Sequence, residues 1–310
     1  MEPGPHPGCL LLPKEERMQR VFFLFMMLTI LSLFAVRGAS AAEEGKKPPK
    51  KAILLVAFGT SIPEAQTAYD QIDAAVKKAF PGTEIRWAFT SKIIRAKLAR
   101  QGKPLDSPEM ALARLMDEGF ARIAVLSLHV IPGIEFHDLH TNAQLFSQMS
   151  GGLERVSVAR PLLSSHEDMV QVAKALLKKI PSSRKPEDIV LFMGHGSEKH
   201  PSDAIYAAMN YLFEGMDPNV FVATVDGYPS LADLLPKISE RKARKVYLIP
   251  LMAVAGDHAR NDMAGDSPDS WKSILTEKGL SCEAVLSGMA EYPEVIEVWL
   301  RHLREVFAEL

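Results

Sequence analysis

The sequence is poor in cysteine, with Cys9 and Cys282 as its two cysteines among 310 residues. Two cysteines cannot form a disulfide framework or a cysteine-rich zinc site, so a bound metal would need histidine and carboxylate ligands. An excess of one charge is also lacking: the formal net charge is −2, which gives no support for a nucleic-acid partner. Aromatic residues make up 7%, but hydrophobic residues make up 47%, enough for a globular core.

The N-terminus has the pattern of an exported protein. A basic start at residues 18–20 precedes an apolar run over 21–36, and residues 39–41 (ASA) supply the small side chains of a cleavage site. We predict a signal peptide over residues 1–41, with Met18 as an alternative start, and a periplasmic protein without a membrane anchor after cleavage. The alternative is an uncleaved anchor, because the apolar run approaches the lower length limit of a spanning helix.

The rest of the chain reads as two α/β halves. Residues 42–50 form a charged, proline-containing linker that we expect to be disordered. After it, apolar strand-like runs alternate with amphipathic helix-like segments, which is typical of parallel sheets covered by helices. The segment PSSRKP predicts a boundary between an N-terminal lobe over 51–185 and a C-terminal lobe over 186–310. The predicted strands are 52–58, 84–89, 123–130, 155–159, 189–193, 220–225, 245–251 and 283–286.

The two halves resemble each other in sequence. Each begins with a predicted strand and a glycine-containing loop, FGTS in the first half and HGS in the second. Residues 121–138 also parallel residues 243–262, and aligning Gly133 with Gly256 places Glu135 opposite His258. We therefore predict two Rossmann-like lobes related by internal duplication. Because ligands of such sheets bind beyond the carboxyl ends of the strands, the matching loops should line one cleft between the lobes.

Three loops of the second half place ionisable side chains after predicted strands. They carry His195, Asp226 and His258, each beside or near a glycine. Two imidazoles and a carboxylate suit an open site for a divalent cation, and a neutral imidazole can also accept a proton. Each residue alone is also typical of a hydrogen-bonded turn. Their shared position after successive strands favours a functional site.

Six motifs resemble, in order, those of the anaerobic sirohydrochlorin cobaltochelatases, class II tetrapyrrole chelatases related to ferrochelatase. The motifs are VAFGTS, FTSKIIR, SLHVIPGIEFHDL, GHGS, TVDGYPS and PLMAVAGDHA. The resemblance implies sirohydrochlorin in the cleft between two lobes and insertion of Co²⁺, or Fe²⁺, without ATP. It matches the two metal-binding histidines of the family to His195 and His258. The acidic partner of these histidines, usually glutamate, matches Asp226, whose side chain is one methylene shorter, so the sequence leaves open whether Asp226 contacts the metal directly.

The resemblance also suggests roles for individual residues. His195 and His258 would hold the cation and accept the pyrrole protons, and Asp226 would balance the charge. Sirohydrochlorin is rich in carboxylates, so the cleft needs hydrogen-bond donors and cations. The predicted donors and cations are Ser91, Lys92, Arg95 and Lys199. Glu135, which aligns with His258, is also predicted to bind the substrate. The alternative for Lys92 and Arg95 is the solvent-facing side of a helix.

A second histidine group consists of His129, His137 and His140. His137 and His140 are three residues apart and would share one face of a helix. They are either exposed surface residues or part of an accessory haem b or metal site. For a haem at this site, we predict that His137 is the axial ligand. A competing function is a periplasmic carrier of haem, another tetrapyrrole or metal, which export would favour. The sequence leaves open whether the chain forms a homo-oligomer.

Overall fold

The computed structural model describes residues 48–197 and 200–310. The predicted signal peptide lies outside the described residues, as do most of the linker and Lys199. Among the helices of the described ranges, none combines the length and the apolar character needed to cross a membrane.

The first half of the described chain forms a four-stranded parallel sheet in the order β2-β1-β3-β4. Its elements are β1 (Lys50–Ala57), α1 (Pro63–Ala79), β2 (Glu84–Phe89), α2 (Lys92–Arg100), α3 (Pro108–Asp117), β3 (Phe120–Ser127), α4 (Ile134–Gln148), β4 (Arg155–Val158) and α5 (His166–Leu177).

The second half forms a four-stranded parallel sheet in the order β6-β5-β7-β8. Its elements are β5 (Ile189–Gly194), a 3-10 turn (Pro201–Asp203), α6 (Ala204–Met216), β6 (Val220–Thr224), α7 (Leu231–Glu240), β7 (Lys245–Pro250), a π-helical turn (Ala259–Met263), α8 (Trp271–Glu277), β8 (Ser281–Ala284), a 3-10 turn (Met289–Glu291) and α9 (Pro293–Ala308). The two strand orders are equivalent, as internal duplication predicts. The predicted α/β fold with two parallel sheets is confirmed.

The central strands follow from uninterrupted apolar runs. All six residues of β5 are buried, as are residues 52–57 of β1, because helices cover both faces of each sheet. Strands β1, β3 and β8 differ most from prediction, and β3 lies three residues before the predicted 123–130. Strand β1 already begins at Lys50, within the predicted linker, and β8 lies two residues before the predicted 283–286. Strand β8 is an edge strand with no buried residue, so its sequence lacks the apolar run that locates the others.

The C-terminal helix α9 returns to the first sheet. It packs against β3, α1 and α5, although the predicted boundary at residue 185 assigns it to the second lobe. Its buried side chains Val295, Val298, Trp299 and Leu303 join the same core as Ile53 and Leu55 of β1. The chain therefore crosses between the two sheets twice.

A buried carboxylate connects α9 to α5. Asp168 is fully buried. It accepts a hydrogen bond from Arg301 and another, at 2.6 Å, from the Ser165 hydroxyl. One of its carboxylate oxygens also lies 3.2 Å from His302 Nε2. Burial by itself would raise the pKa of Asp168. The hydrogen bonds and charges around it outweigh burial and hold that pKa below its ordinary value.

We expect Asp168→Asn to lower the free energy of unfolding by about 2–4 kcal/mol near neutral pH, because it leaves Arg301 without its buried partner. Arg301 keeps partial access to water, which limits the loss. The folded pKa of Asp168 lies below the unfolded value, so its contribution is present above about pH 4 and is lost as the pH falls through the folded pKa. Urea unfolding near pH 7 and near pH 3 should show a smaller difference between variant and wild type at the lower pH. An equal difference at both would contradict an ionic role.

Candidate active site

Three strands of the second sheet bring the predicted residues together. Strand β5 lies between β6 and β7 in parallel register, so the carboxyl ends of all three meet at one edge of the sheet. His195 directly follows β5, Asp226 follows β6, and His258 follows β7 just before the π-helical turn.

Close backbone contact holds the first two loops together. Gly196 has a left-handed φ of +88°, and a Cβ atom there would lie 2.8 Å from Gly227 N and 2.9 Å from the carbonyl carbon of Asp226. The backbone N–H of Asp226 donates to His195 O at 2.8 Å. Glycine is needed at position 196 both for its φ and for this approach.

The side chains of His195, Asp226 and His258 form a triad with the donor atoms and spacing to hold a metal ion. One potential ligand atom from each lies within 4.8 Å of the others, and the two imidazole centroids are 4.7 Å apart with the rings nearly perpendicular. Two ligands at about 2.1 Å from a cation are at most about 4.2 Å apart, so small side-chain rotations suffice to enclose one. The histidines are half-buried and Asp226 is exposed, which leaves the site open to a ligand.

Hydrogen bonds orient both imidazoles. His195 Nδ1 lies 3.0 Å from Gly196 O, and His258 Nδ1 lies 2.6 Å from a carboxylate oxygen of Asp262. Because a carbonyl and a carboxylate only accept, Nδ1 carries the hydrogen in the neutral form of each ring, and the Nε2 lone pair is then available to a metal or a proton. Asp262 was not predicted as a site residue. Its spacing of four from His258 is the sequence signal that could have identified it.

The two histidines line a cleft of about 340 Å³ between the carboxyl ends of the two sheets. The first sheet contributes the loops after β1 and β3 and the start of α2, and the second sheet contributes the loops after β5 and β7. Phe58 and Ile93 line this cleft with 46% and 69% of their surface exposed. Such exposed apolar side chains are typical of a ligand surface, and these could contact the face of a flat ring.

Further titratable groups line the cleft in neutral form, among them His129 and Tyr206. Burial lowers the pKa of His129 to about 4, so this imidazole is uncharged near pH 7. Its Nδ1 lies 2.9 Å from the buried Ser127 hydroxyl. Burial raises the pKa of Tyr206, which packs against Gly194 at the end of β5. Any charge in the cleft lining must therefore come from other residues.

The sequence of the described chain matches one protein family along nearly its whole length. The family model described as "Cobalt chelatase (CbiK)" matches residues 51–308. The chain belongs to this family.

Relatives of this chelatase cover most of its length. It is 41% identical over 261 residues to the sirohydrochlorin cobaltochelatase CbiKC of Nitratidesulfovibrio vulgaris, spanning 84% of this chain and 92% of the relative. It is 37% identical over 260 residues to the sirohydrochlorin cobaltochelatase of Salmonella typhimurium, spanning 83% and 96%. The solved structure of the sirohydrochlorin chelatase SirB from Bacillus subtilis subspecies spizizenii in complex with cobalt matches with a TM-score of 0.55 at 16% identity, over 83% of this chain and 95% of that one. The last likeness concerns the fold.

The predicted substrate-binding residues of the chelatase are only partly brought to the cleft. Ser91 and Glu135 line it, and Ser91 also caps α2 by accepting from the Ile94 N–H at 3.3 Å. Lys92 and Arg95 lie on α2 outside the cleft lining, so their placement does not support that prediction. Lys97 lies there instead, because it follows Ile93 by four residues on the same helix face.

The structure separates the second histidine group. His129 lines the cleft, whereas His137 and His140 are exposed on α4. The ring of His137 lies 5.1 Å from that of His200 and 5.6 Å from that of Phe136. His137 therefore lies outside the cleft lining.

Proposed function

We propose that this chain inserts Co²⁺ into sirohydrochlorin without ATP. The observation that carries the proposal is the triad of His195, Asp226 and His258 at the edge of a partly apolar cleft, with both Nε2 lone pairs available. The names of the two relatives at 41% and 37% identity support the same substrate and metal.

Each histidine exchanges the cation for a proton in the proposed mechanism. His195 and His258 bind Co²⁺ through Nε2 while its water ligands are released. As the cation moves to the pyrrole nitrogens, each Nε2 lone pair is freed and takes one of the two pyrrole protons. Two N–H bonds of the macrocycle break and two imidazole N–H bonds form, so charge and protons balance.

Two carboxylates support this exchange. Asp226 offsets the charge of the bound cation and then of the imidazolium pair. Asp262 accepts the Nδ1–H of His258 and stabilises that ring when it becomes protonated. The protons then pass to solvent, which reaches both half-buried rings.

The proposal is tested by mixing purified mature protein with sirohydrochlorin and either Co²⁺ or Fe²⁺ and following the absorbance change of metallation. We expect metallation with Co²⁺, at a rate that ATP does not alter. The Fe²⁺ arm decides whether iron is also a substrate. A carrier of tetrapyrrole or metal would bind sirohydrochlorin without the spectral change of metallation, and that result would contradict the proposal.

We also propose that the protein acts in the periplasm. The apolar run over 21–36 followed by ASA at 39–41 supports export and cleavage. Exported protein should begin near Ala42 by mass spectrometry and fractionate with the periplasm. Soluble cytoplasmic protein that keeps Met1 or Met18 would contradict this.

An accessory haem b at His137 stays a prediction. Protein purified from haem-replete cells should then show a Soret band that His137→Ala removes without loss of metallation. His140→Ala, on the same helix face, is the matched control. Wild-type protein that stays colourless and cannot be loaded with haemin would exclude the site.

A further inference from the structure

The triad of His195, Asp226 and His258 lies between the cleft and a second depression, and the two are lined by different residues. His195 and His258 line the cleft described above. Asp226 instead lines the second, shallow depression, which also borders His200 and Asp203, and Ser197 borders both the cleft and the depression. A cation held by the triad could therefore be reached from either side.

The second depression is lined mainly by polar groups, and one of them is buried without a full set of partners. Asp203 is 9% exposed, and its Oδ2 accepts the N–H of Tyr228 at 3.1 Å. Its Oδ1 is buried and has no hydrogen-bond partner among the described residues. A buried carboxyl oxygen without a partner is costly, and a cation or a water of its hydration shell would satisfy it.

The linings of the cleft and of the depression match the macrocycle and the metal cation, respectively. Exposed Phe58 and Ile93 give the cleft an apolar surface for the macrocycle, which on binding would cover His195 and His258 from that side. A hydrated divalent cation is better matched to the depression. There the carboxyl groups of Asp203 and Asp226 and the hydroxyl of Ser197 can replace its water ligands in turn. Carboxylates at such a position also raise the local concentration of cations.

We propose that the metal cation reaches the triad through the depression lined by Asp203 and Asp226, with Asp203 as a transient ligand, while the tetrapyrrole occupies the cleft. This inference rests on the proposed chelatase function. It assigns to Asp203 a role in metal delivery and none in holding the macrocycle.

The first experiment needs no variant. Wild-type protein is saturated with metal-free sirohydrochlorin, mixed rapidly with Co²⁺, and the single-turnover rate of metallation is measured as free sirohydrochlorin is increased. If the cation has its own path, the rate stays the same. If the cation must pass through the cleft, the bound tetrapyrrole has to leave first, and the rate falls as free sirohydrochlorin rises. That fall would overturn the proposal.

The second experiment uses Asp203→Asn, which keeps an acceptor for the Tyr228 N–H but removes the charge. We expect kcat/KM for Co²⁺ to fall by about 10-fold, the scale of electrostatic guidance, with kcat at saturating Co²⁺ and KM for sirohydrochlorin unchanged. Asp70→Asn removes an exposed carboxylate from α1 and should change neither parameter. An unchanged kcat/KM for Co²⁺, or an equal change in KM for sirohydrochlorin, would overturn the role of Asp203.

These outcomes separate the access path from the function itself. Wild-type protein that fails to metallate sirohydrochlorin refutes the proposed function. Wild-type protein that metallates it, but is slowed by excess sirohydrochlorin, refutes only the separate path.

Discussion

Replacing His195 or His258 with alanine is expected to reduce the rate of metallation by on the order of 10²–10⁴-fold through loss of the proton acceptor alone. Loss of a metal ligand adds to this, because each Nε2 serves both steps of the proposed exchange. Both variants should fold, since the two rings are half-buried in loops beyond the strand ends. Metallation is measured by absorbance, and Co²⁺ binding to the free protein by calorimetry.

Matched variants make this result specific. His166→Ala removes an exposed imidazole at the start of α5 and should retain wild-type activity. Asp226→Ala should lose less activity than either histidine variant if its role is charge balance, and Asp226→Glu should be tolerated. A His258→Ala protein that metallates sirohydrochlorin at the wild-type rate would show that the chemistry lies in another loop.

Gly196→Ala should reduce metallation on the order of 10²-fold, the scale expected when catalytic groups are displaced by about 1 Å. The new Cβ would lie within 3 Å of backbone atoms in residues 226 and 227, which cannot rotate away as a side chain can. The loops carrying His195 and Asp226 must therefore move apart, and the triad opens. Co²⁺ affinity of the free protein should fall together with activity.

Gly279→Ala is the control for backbone strain. Gly279 has a similar φ of +82°, but no atom lies within 4 Å of its added Cβ. This variant should lose about 1–2 kcal/mol of stability from the left-handed conformation alone, with activity unchanged. If Gly196→Ala behaves like Gly279→Ala, the contact between the two loops does not position the triad.

Much of the site could be predicted because a strand end defines a position in space. His195, Asp226 and His258 each follow a strand that the apolar runs located, and parallel strands place those loops at one edge. Side chains on helices were harder to predict. The sequence FTSKIIRAK contains three cations, and only the helix orientation shows that Lys97 faces the cleft while Lys92 and Arg95 do not.

The sequence by itself determined the two parallel sheets and the histidine loops, because buried strands require continuous apolar runs and the ends of parallel strands coincide. Tertiary structure alone decided that α9 packs on the first sheet, since an amphipathic helix encodes an apolar face but not which sheet covers it. It also decided that Asp203 lines the same depression as Asp226. This pairing depends on how separate parts of the chain meet in space, which spacing along the chain does not specify.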